Sequence, residues 1–331
     1  MKWRIIAIAA SIIPLIIIAA LFNVGPEDVL AVGIVPFVFA GLLAIAKLLI
    51  QGVRFHYYVN SFVGSVASIR KTVEVRMGSE FVTLTTPSYT GGEFVRVAWL
   101  HKKGVQAGKG MWIITVEVIS DVLVGSVLAY MAAILAFMAQ NYLIATGIVV
   151  ITSPIFAAYM ALLVLSSKRI LQMPRFTLTV LTRIFGSAKG ERWTNTMNDI
   201  LKELCEMSRE NLRSSSIKVF AIGLALTFVG ASLHALTFMV LANTIANVGF
   251  FESLMAVAAS VAIGTLPISP GGSGLSEFGI GYYLNTFGFD TAMFGSVIIA
   301  WRLASYHVTL AVSWIALMKV AVGKIGKSTV A

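Results

Sequence analysis

Two short stretches of this sequence pair helix-breaking residues with polar side chains in a way that suits contact with a charged headgroup. One reads Thr85-Thr86-Pro87-Ser88-Tyr89-Thr90-Gly91-Gly92-Glu93, with Arg96 three residues on; the other reads Leu266-Pro267-Ile268-Ser269-Pro270-Gly271-Gly272-Ser273-Gly274-Leu275-Ser276-Glu277. Both contain P-x-x-x-G-G followed by a glutamate, and three of only eight prolines fall in these two places. Proline ends a helix by withholding an N–H, and paired glycines let backbone approach a ligand without side-chain obstruction. Freed N–H groups at a helix start form an anion site suited to a lipid phosphate. Thr86, Ser269 and neighbouring hydroxyls can add hydrogen bonds. The alternative is a tight hairpin tip that binds nothing.

Charges within apolar runs carry the second signal, because a charged group at mid-bilayer costs at least a few kcal/mol unless it is paired or hydrated. Glu117 and Asp121 stand four residues apart on one helical face, His234 lies midway along another apolar run, and Arg302 lies within the last. Arg302 is expected to meet either a phosphate or one of the carboxylates Glu277, Glu117 and Asp121; a static buried ion pair is the plainer reading. Two carboxylates on one face can also raise one another's proton affinity. His234 reads as a hydrogen-bonded packing residue before a proton relay.

The elements that must position these residues are membrane helices. The chain has 331 residues, of which 58% are hydrophobic and 12% charged, against roughly 25% charged in a soluble domain. About 20 mostly apolar residues cross the hydrocarbon core. Six such runs occur, near Ile5–Phe22, Val29–Ile50, Met111–Met138, Tyr142–Leu165, Val219–Ala246 and Thr291–Val322. With the N-terminus inside, 24 of the 25 Lys and Arg residues fall in cytoplasmic segments, Arg302 being the exception. Retention of basic residues on the cytoplasmic side then puts both termini inside, in a multi-pass protein of the cytoplasmic membrane.

Residues 55–100 and 250–289 fit neither a span nor an ordinary loop, and read as re-entrant helical hairpins or else as amphipathic surface loops. The expected architecture is a single polytopic all-α domain over 1–331, with six full spans and two re-entrant hairpins in an inverted repeat. A first repeat covers 1–110, two spans follow over 111–165, a cytoplasmic amphipathic connection covers 166–216, and a second repeat covers 217–331. Such repeats hold substrate near the midplane between halves. In the connection, Trp193, Met197, Ile200, Leu201, Leu204, Met207 and Leu212 recur at helical spacing among charged residues. That stripe suits a helix lying on anionic headgroups, or one packed on the bundle or a partner.

Other classes fall away. One cysteine, Cys205, excludes an internal disulfide framework, the four histidines are too dispersed for a zinc motif, and no cofactor or metal is expected. The net charge of +10 is divided by apolar runs, so no nucleic-acid partner is expected. No nucleophile elbow, P-loop or dinucleotide fingerprint appears, which argues against an enzyme.

At these residues the sequence resembles the flippase-like membrane domain of the lysylphosphatidylglycerol synthase family, over nearly the whole chain. The family's P-x-x-x-G-E-x-x-R-type signature is similar to Pro87, Gly91, Gly92, Glu93 and Arg96, with one extra residue before the glutamate. Its E-R-x-x-D element looks like Glu117 to Asp121, with Val118 in place of the arginine. The P-x-S-P-G-G-x-G-x-x-E motif is matched by Pro267, Ser269, Pro270, Gly271, Gly272, Gly274 and Glu277, and a downstream R-L by Arg302 and Leu303. The resemblance implies a protein that moves a lipid or lipid-linked polar group across the bilayer, with anionic phospholipid or a polyprenyl-linked substrate as partner and a homodimer or synthase partner as a further expectation. Bifunctional relatives attach a soluble aminoacyl-transfer domain; these residues contain no such domain, so lipid lysylation is not carried over. The alternatives are a membrane-embedded lipid-modifying enzyme and a membrane subunit of a synthase.

Overall fold

The computed structural model describes residues 16–17, 19–20, 24–86, 89, 91–168, 171–212, 217–289 and 291–322, and all its elements are helical. Among the described residues five helices are long and apolar enough to cross a membrane: Ile34–Val63, Ala107–Met138, Tyr142–Lys168, Ile217–Ala242 and Phe294–Ala321. The expected first span, Ile5–Phe22, lies outside the described residues except for Ile16, Ile17, Ala19 and Ala20, which are helical. Large apolar side chains such as Phe39, Leu49, Met131, Phe137, Leu143 and Val150 face outward, which is the surface a helix bundle presents to lipid rather than water.

A short helix α1 (Pro26–Ala31) precedes α2 (Ile34–Val63). α2 runs 30 residues, about 45 Å, and stops at Gly64, whose φ of +79° suits a residue without a Cβ. The apolar run expected to end at Ile50 therefore continues as helix through residues 55–63. Falling hydropathy beyond Ile50 marks where α2 turns polar groups inward, and Phe55, Tyr58 and Val59 there are buried. The first hairpin is correspondingly narrower than 55–100. Its arms are α3 (Ile69–Thr85) and α4 (Gly92–Lys102).

α5 (Ala107–Met138) and α6 (Tyr142–Lys168) follow as a pair joined by Ala139–Asn141. The 166–216 connection folds as α7 (Arg175–Phe185) and α8 (Ser187–Leu212). Between the two readings of its stripe, the described contacts favour packing: Leu204, Cys205 and Met207 are buried, and α8 rests on α5 and α6. Glu203 caps the start of α5 by accepting the Gly108 N–H at 2.8 Å, and Ser166 meets Ser208 at 2.9 Å. Trp193 stays 63% exposed.

α9 (Ile217–Ala242) leads to the second hairpin, α10 (Phe250–Gly264) and α11 (Leu275–Thr286). The run expected as one span over Thr291–Val322 is divided into α12 (Thr291–Arg302), a π-helical stretch Leu303–Val308, and α13 (Thr309–Val322). π-Turns insert extra residues into a helix and cluster at functional sites; this one begins directly after Arg302.

Each half is thus a long helix, a hairpin and a second long helix. α2 packs along α9, α3 packs on α13, and α10 packs on α5, so the first arm of each hairpin lies against the closing helix of the other half. α2 and α9 run antiparallel: Lys47 meets His234, Arg54 meets Thr227, and Tyr58 meets Gly223, each step along one helix matched by an equal step back along the other. Gly223 permits this approach, since a Cβ there would overlap the Tyr58 hydroxyl.

Candidate functional site

The polar interior has two centres. The first is built around Glu117 of α5, whose side chain is fully buried. Its Oε1 accepts from Arg54 Nη2 at 3.2 Å and Arg76 Nε at 2.8 Å, and its Oε2 accepts from Arg96 Nη1 at 2.5 Å. Three helices, α2, α3 and α4, therefore converge on one carboxylate. Each arginine holds a second acid: Arg54 forks onto Asp121 at 2.5 and 2.9 Å, Arg76 reaches Glu80 at 2.6 Å, and Arg96 reaches Glu93 at 3.3 Å. Arg54 also donates to Thr227 of α9 at 2.5 Å. Buried guanidinium and carboxylate groups lose hydration that only such dense pairing replaces.

The second centre lies where the hairpin tips meet. Arg302 is nearly fully buried; its Nη2 donates to the Gly271 carbonyl at 2.5 Å and to Ser273 Oγ at 2.9 Å. Its Nε stands 2.7 Å from Glu277 Oε1, an ion pair lacking hydrogen-bond alignment. The other Glu277 oxygen caps α11 by accepting the Gly274 N–H at 2.8 Å. The guanidinium also lies over the Tyr306 ring at 4.2 Å. Across the gap, Tyr89 of the first tip donates to the Gly271 carbonyl at 2.7 Å, and Tyr306 donates to the Leu84 carbonyl at 3.0 Å.

Gly271 and Gly272 have φ of +55° and +60°. A Cβ on Gly271 would run into the Tyr306 ring and one on Gly272 into the Gly264 carbonyl, so both conformation and closeness require glycine here.

The other expected site residues divide between these centres. Thr86 turns its hydroxyl back to the Val82 carbonyl at 2.8 Å, while its own carbonyl faces the Gly271 N–H at 3.5 Å. Glu93 accepts the Gly91 N–H at 2.8 Å, as Glu277 does for Gly274, and Gly92 brings α4 against the Ser79 carbonyl of α3. Ser269 donates to the Ser273 carbonyl at 2.6 Å, closing the second tip beside Pro270. Pro267 lies on the exposed side of that tip. Pro87 lies outside the described residues, with Ser88 and Thr90.

Glu117 and Asp121 do share a face, but what they share is Arg54. Arg302 meets Glu277 rather than Glu117 or Asp121. The two halves even reverse polarity: in the first, the hairpin supplies the arginine and the closing helix the acid, as Arg96 and Glu117; in the second, the hairpin supplies Glu277 and the closing helix Arg302.

Lys47, Arg54, Arg76 and Glu80 also belong to the site, although charge counting assigned those bases to cytoplasmic segments. Arg302 is not the one basic residue inside the bundle. A signal was present: Lys47, Gln51 and Arg54 follow one helical face, and Arg76 and Glu80 are four apart. Lys47 meets His234 Nδ1 at 3.3 Å, and no carboxylate among the described residues pairs with it directly. It stands within electrostatic reach of Glu80, Asp121, Arg76 and Arg302, and so joins the two centres. Asp121 keeps 43% of its side chain open although it sits near the middle of α5. Among the described residues no group of three or more His, Cys, Asp or Glu side chains is arranged to hold a metal.

Comparison with known proteins identifies the family. The family model described as "Lysylphosphatidylglycerol synthase TM region" matches residues 4–313. The chain belongs to that family. It is also 25% identical over 271 residues to a UPF0104 membrane protein of Archaeoglobus fulgidus, covering 82% of either chain. Membership makes the protein a multi-pass membrane protein and places both centres within the family's matched region.

Proposed function

We propose that this member of the family is a flippase-like transporter that moves a lipid or lipid-linked polar headgroup across the cytoplasmic membrane by alternating access. The observation that carries the reading is the contact of the two hairpin tips, one from each half, through Tyr89 with Gly271 and Tyr306 with Leu84 directly beside Arg302. Two short helical hairpins with glycine-rich turns at the junction of two similar halves are the parts from which alternating-access sites are built. In this reading the hairpins are re-entrant, the halves form an inverted repeat, and both termini are cytoplasmic.

The closed tips separate on one side at a time. The headgroup enters beside Asp121, and its acyl chains stay in the bilayer. Arg302 exchanges its Gly271 and Ser273 contacts for the headgroup phosphate, while Glu93, Glu117, Asp121 and Glu277 receive cationic or sugar moieties. The chain acts without covalent chemistry of its own.

The test is purified protein in liposomes containing fluorescent lipid, read by an impermeant quencher. Translocation above protein-free liposomes and a slower rate in Arg302→Ala are expected; unchanged leaflet distribution across a panel of lipids overturns the reading. Mass spectrometry of lipids from deleted and complemented cells separates transport from enzymatic modification, since a transporter changes sidedness and an enzyme changes chemical species.

A further inference from the structure

Among the described residues the inner charges are matched with one exception. Arg54, Arg76, Arg96 and Arg302 each hold at least one carboxylate, whereas the Lys47 ammonium hydrogen-bonds a histidine. At 3.3 Å between Lys47 Nζ and His234 Nδ1, a single hydrogen bridges the two nitrogens. With lysine as the donor, Nδ1 holds a lone pair and Nε2 the ring hydrogen. A second proton has one place to go on the ring, and taking it breaks this bond. Nδ1 forms an N–H with the electron pair that had been accepting from Lys47, and two cationic donors then face each other.

Where the pair sits gives that event consequences. Lys47 is on α2 and His234 on α9, the antiparallel helices that begin the two halves, so the bond spans the junction between them. Within electrostatic reach of the pair are Arg76 and Glu80 from α3, Asp121 from α5 and Arg302 from α12. His234 also stacks on Trp301, with ring centroids 5.5 Å apart and planes 24° apart. The next residue is Arg302, the anchor of the second tip. Asp121, partly open and within electrostatic reach of Lys47, supplies the polar approach.

The geometry points to Lys47 and His234 as a proton-binding site whose loading loosens the junction of the halves and the tip held by Arg302, so that proton movement drives translocation. This rests on the transport reading, but its first test does not. An imidazolium stacked on an indole quenches its fluorescence. The Trp301 component is the difference in emission between the wild-type chain and Trp301→Phe, both full-length in nanodiscs, titrated from neutral pH through and below the range where a free histidine changes charge. Expected is a fall in that component through one protonation step, and its loss in His234→Asn, which keeps an acceptor for Lys47 but cannot be protonated. Should His234→Asn fail to fold, His234→Gln is read in the same way. A Trp301 component that is flat with pH in the wild type, or that still titrates without His234, overturns the site.

The second arm imposes a pH gradient on proteoliposomes. One pH unit biases a one-proton step about tenfold, so the wild-type translocation rate should shift by up to that factor while His234→Asn loses the response. Lipid movement indifferent to the gradient overturns the coupling. A Trp301 titration in a protein that moves no lipid sustains the proton site and removes the transport reading instead.

Discussion

Tyr306, in the π-helical stretch behind Arg302, donates its hydroxyl hydrogen to the main-chain carbonyl of Leu84, 222 positions earlier in the chain. That one bond ties the end of α3 in the first half to the closing helix of the second, at the tip junction. Tyr306→Phe leaves the ring over Arg302 but strands a buried carbonyl, which costs about 1–3 kcal/mol. A lower thermal midpoint of the detergent-solubilised protein, with Arg302 still shielded, is the expected outcome.

Glu117 is the acid on which three arginines depend. Its replacement by Ala leaves Arg54, Arg76 and Arg96 crowded around a void with only Asp121, Glu80 and Glu93 to offset them. Breaking a buried ion pair from one side typically destabilises by about 3–5 kcal/mol. Denaturation monitored by tryptophan emission should place Glu117→Ala well below Glu80→Ala, whose arginine retains Glu117.

Arg302→Lys keeps the charge and loses the fork. A single ammonium cannot hold the Gly271 carbonyl, Ser273 Oγ and Glu277 from one position as the planar guanidinium does. Loss of a charged hydrogen bond worth about 1.5–3 kcal/mol corresponds to a rate change of about ten- to a hundredfold. The quencher assay should therefore find Arg302→Lys much closer to Arg302→Ala than to wild type.

Packing of the two halves is testable at Gly223. Gly223→Ala places a methyl group against the Tyr58 hydroxyl, an overpacking of about 1–3 kcal/mol. Combining it with Tyr58→Ala removes both the hydroxyl and the ring carbons that collide, so the double variant should lose less stability than the sum of the single changes. Strict additivity would mean that α2 and α9 are not in this register.

Orientation can be read by labelling in a Cys205→Ser background, since the native thiol is buried. Cysteines introduced at Gln140 and Lys103, at opposite ends of α5, should react with an impermeant maleimide from opposite faces of the membrane. Equal reaction of both from one face would remove α5 as a span.

How far the fold was legible follows from particular residues. Apolar length marked the spans well because the bilayer imposes it, and α6 begins at Tyr142 as its hydropathy implied. The end of α2 was misjudged because Arg54 and His56 look like a loop when counted, although a helix can carry arginine inward if its partners await it on α5 and α9. The tip motifs were readable from their Pro and Gly spacing, as was Arg302 from its setting in an apolar run. The partners of Arg302 were not: Gly271, Ser273 and Tyr306 are joined to it by tertiary structure alone. Arg76 was hidden for the opposite reason, since a rule that sorts bases by side of the membrane treats a buried arginine and a surface one alike.

The balance of the interior bears on electrical behaviour. Lys47, Arg54, Arg76, Arg96 and Arg302 stand against Glu80, Glu93, Glu117, Asp121 and Glu277, so with all ten ionised the polar interior sums to zero. A membrane potential does about 2.3 kcal/mol of work per elementary charge per 100 mV, but pairs that shift together carry no net charge through the field. Voltage therefore has little grip on the empty molecule. Whatever electrical sensitivity the cycle possesses must arrive with its cargo or with the proton taken up at His234.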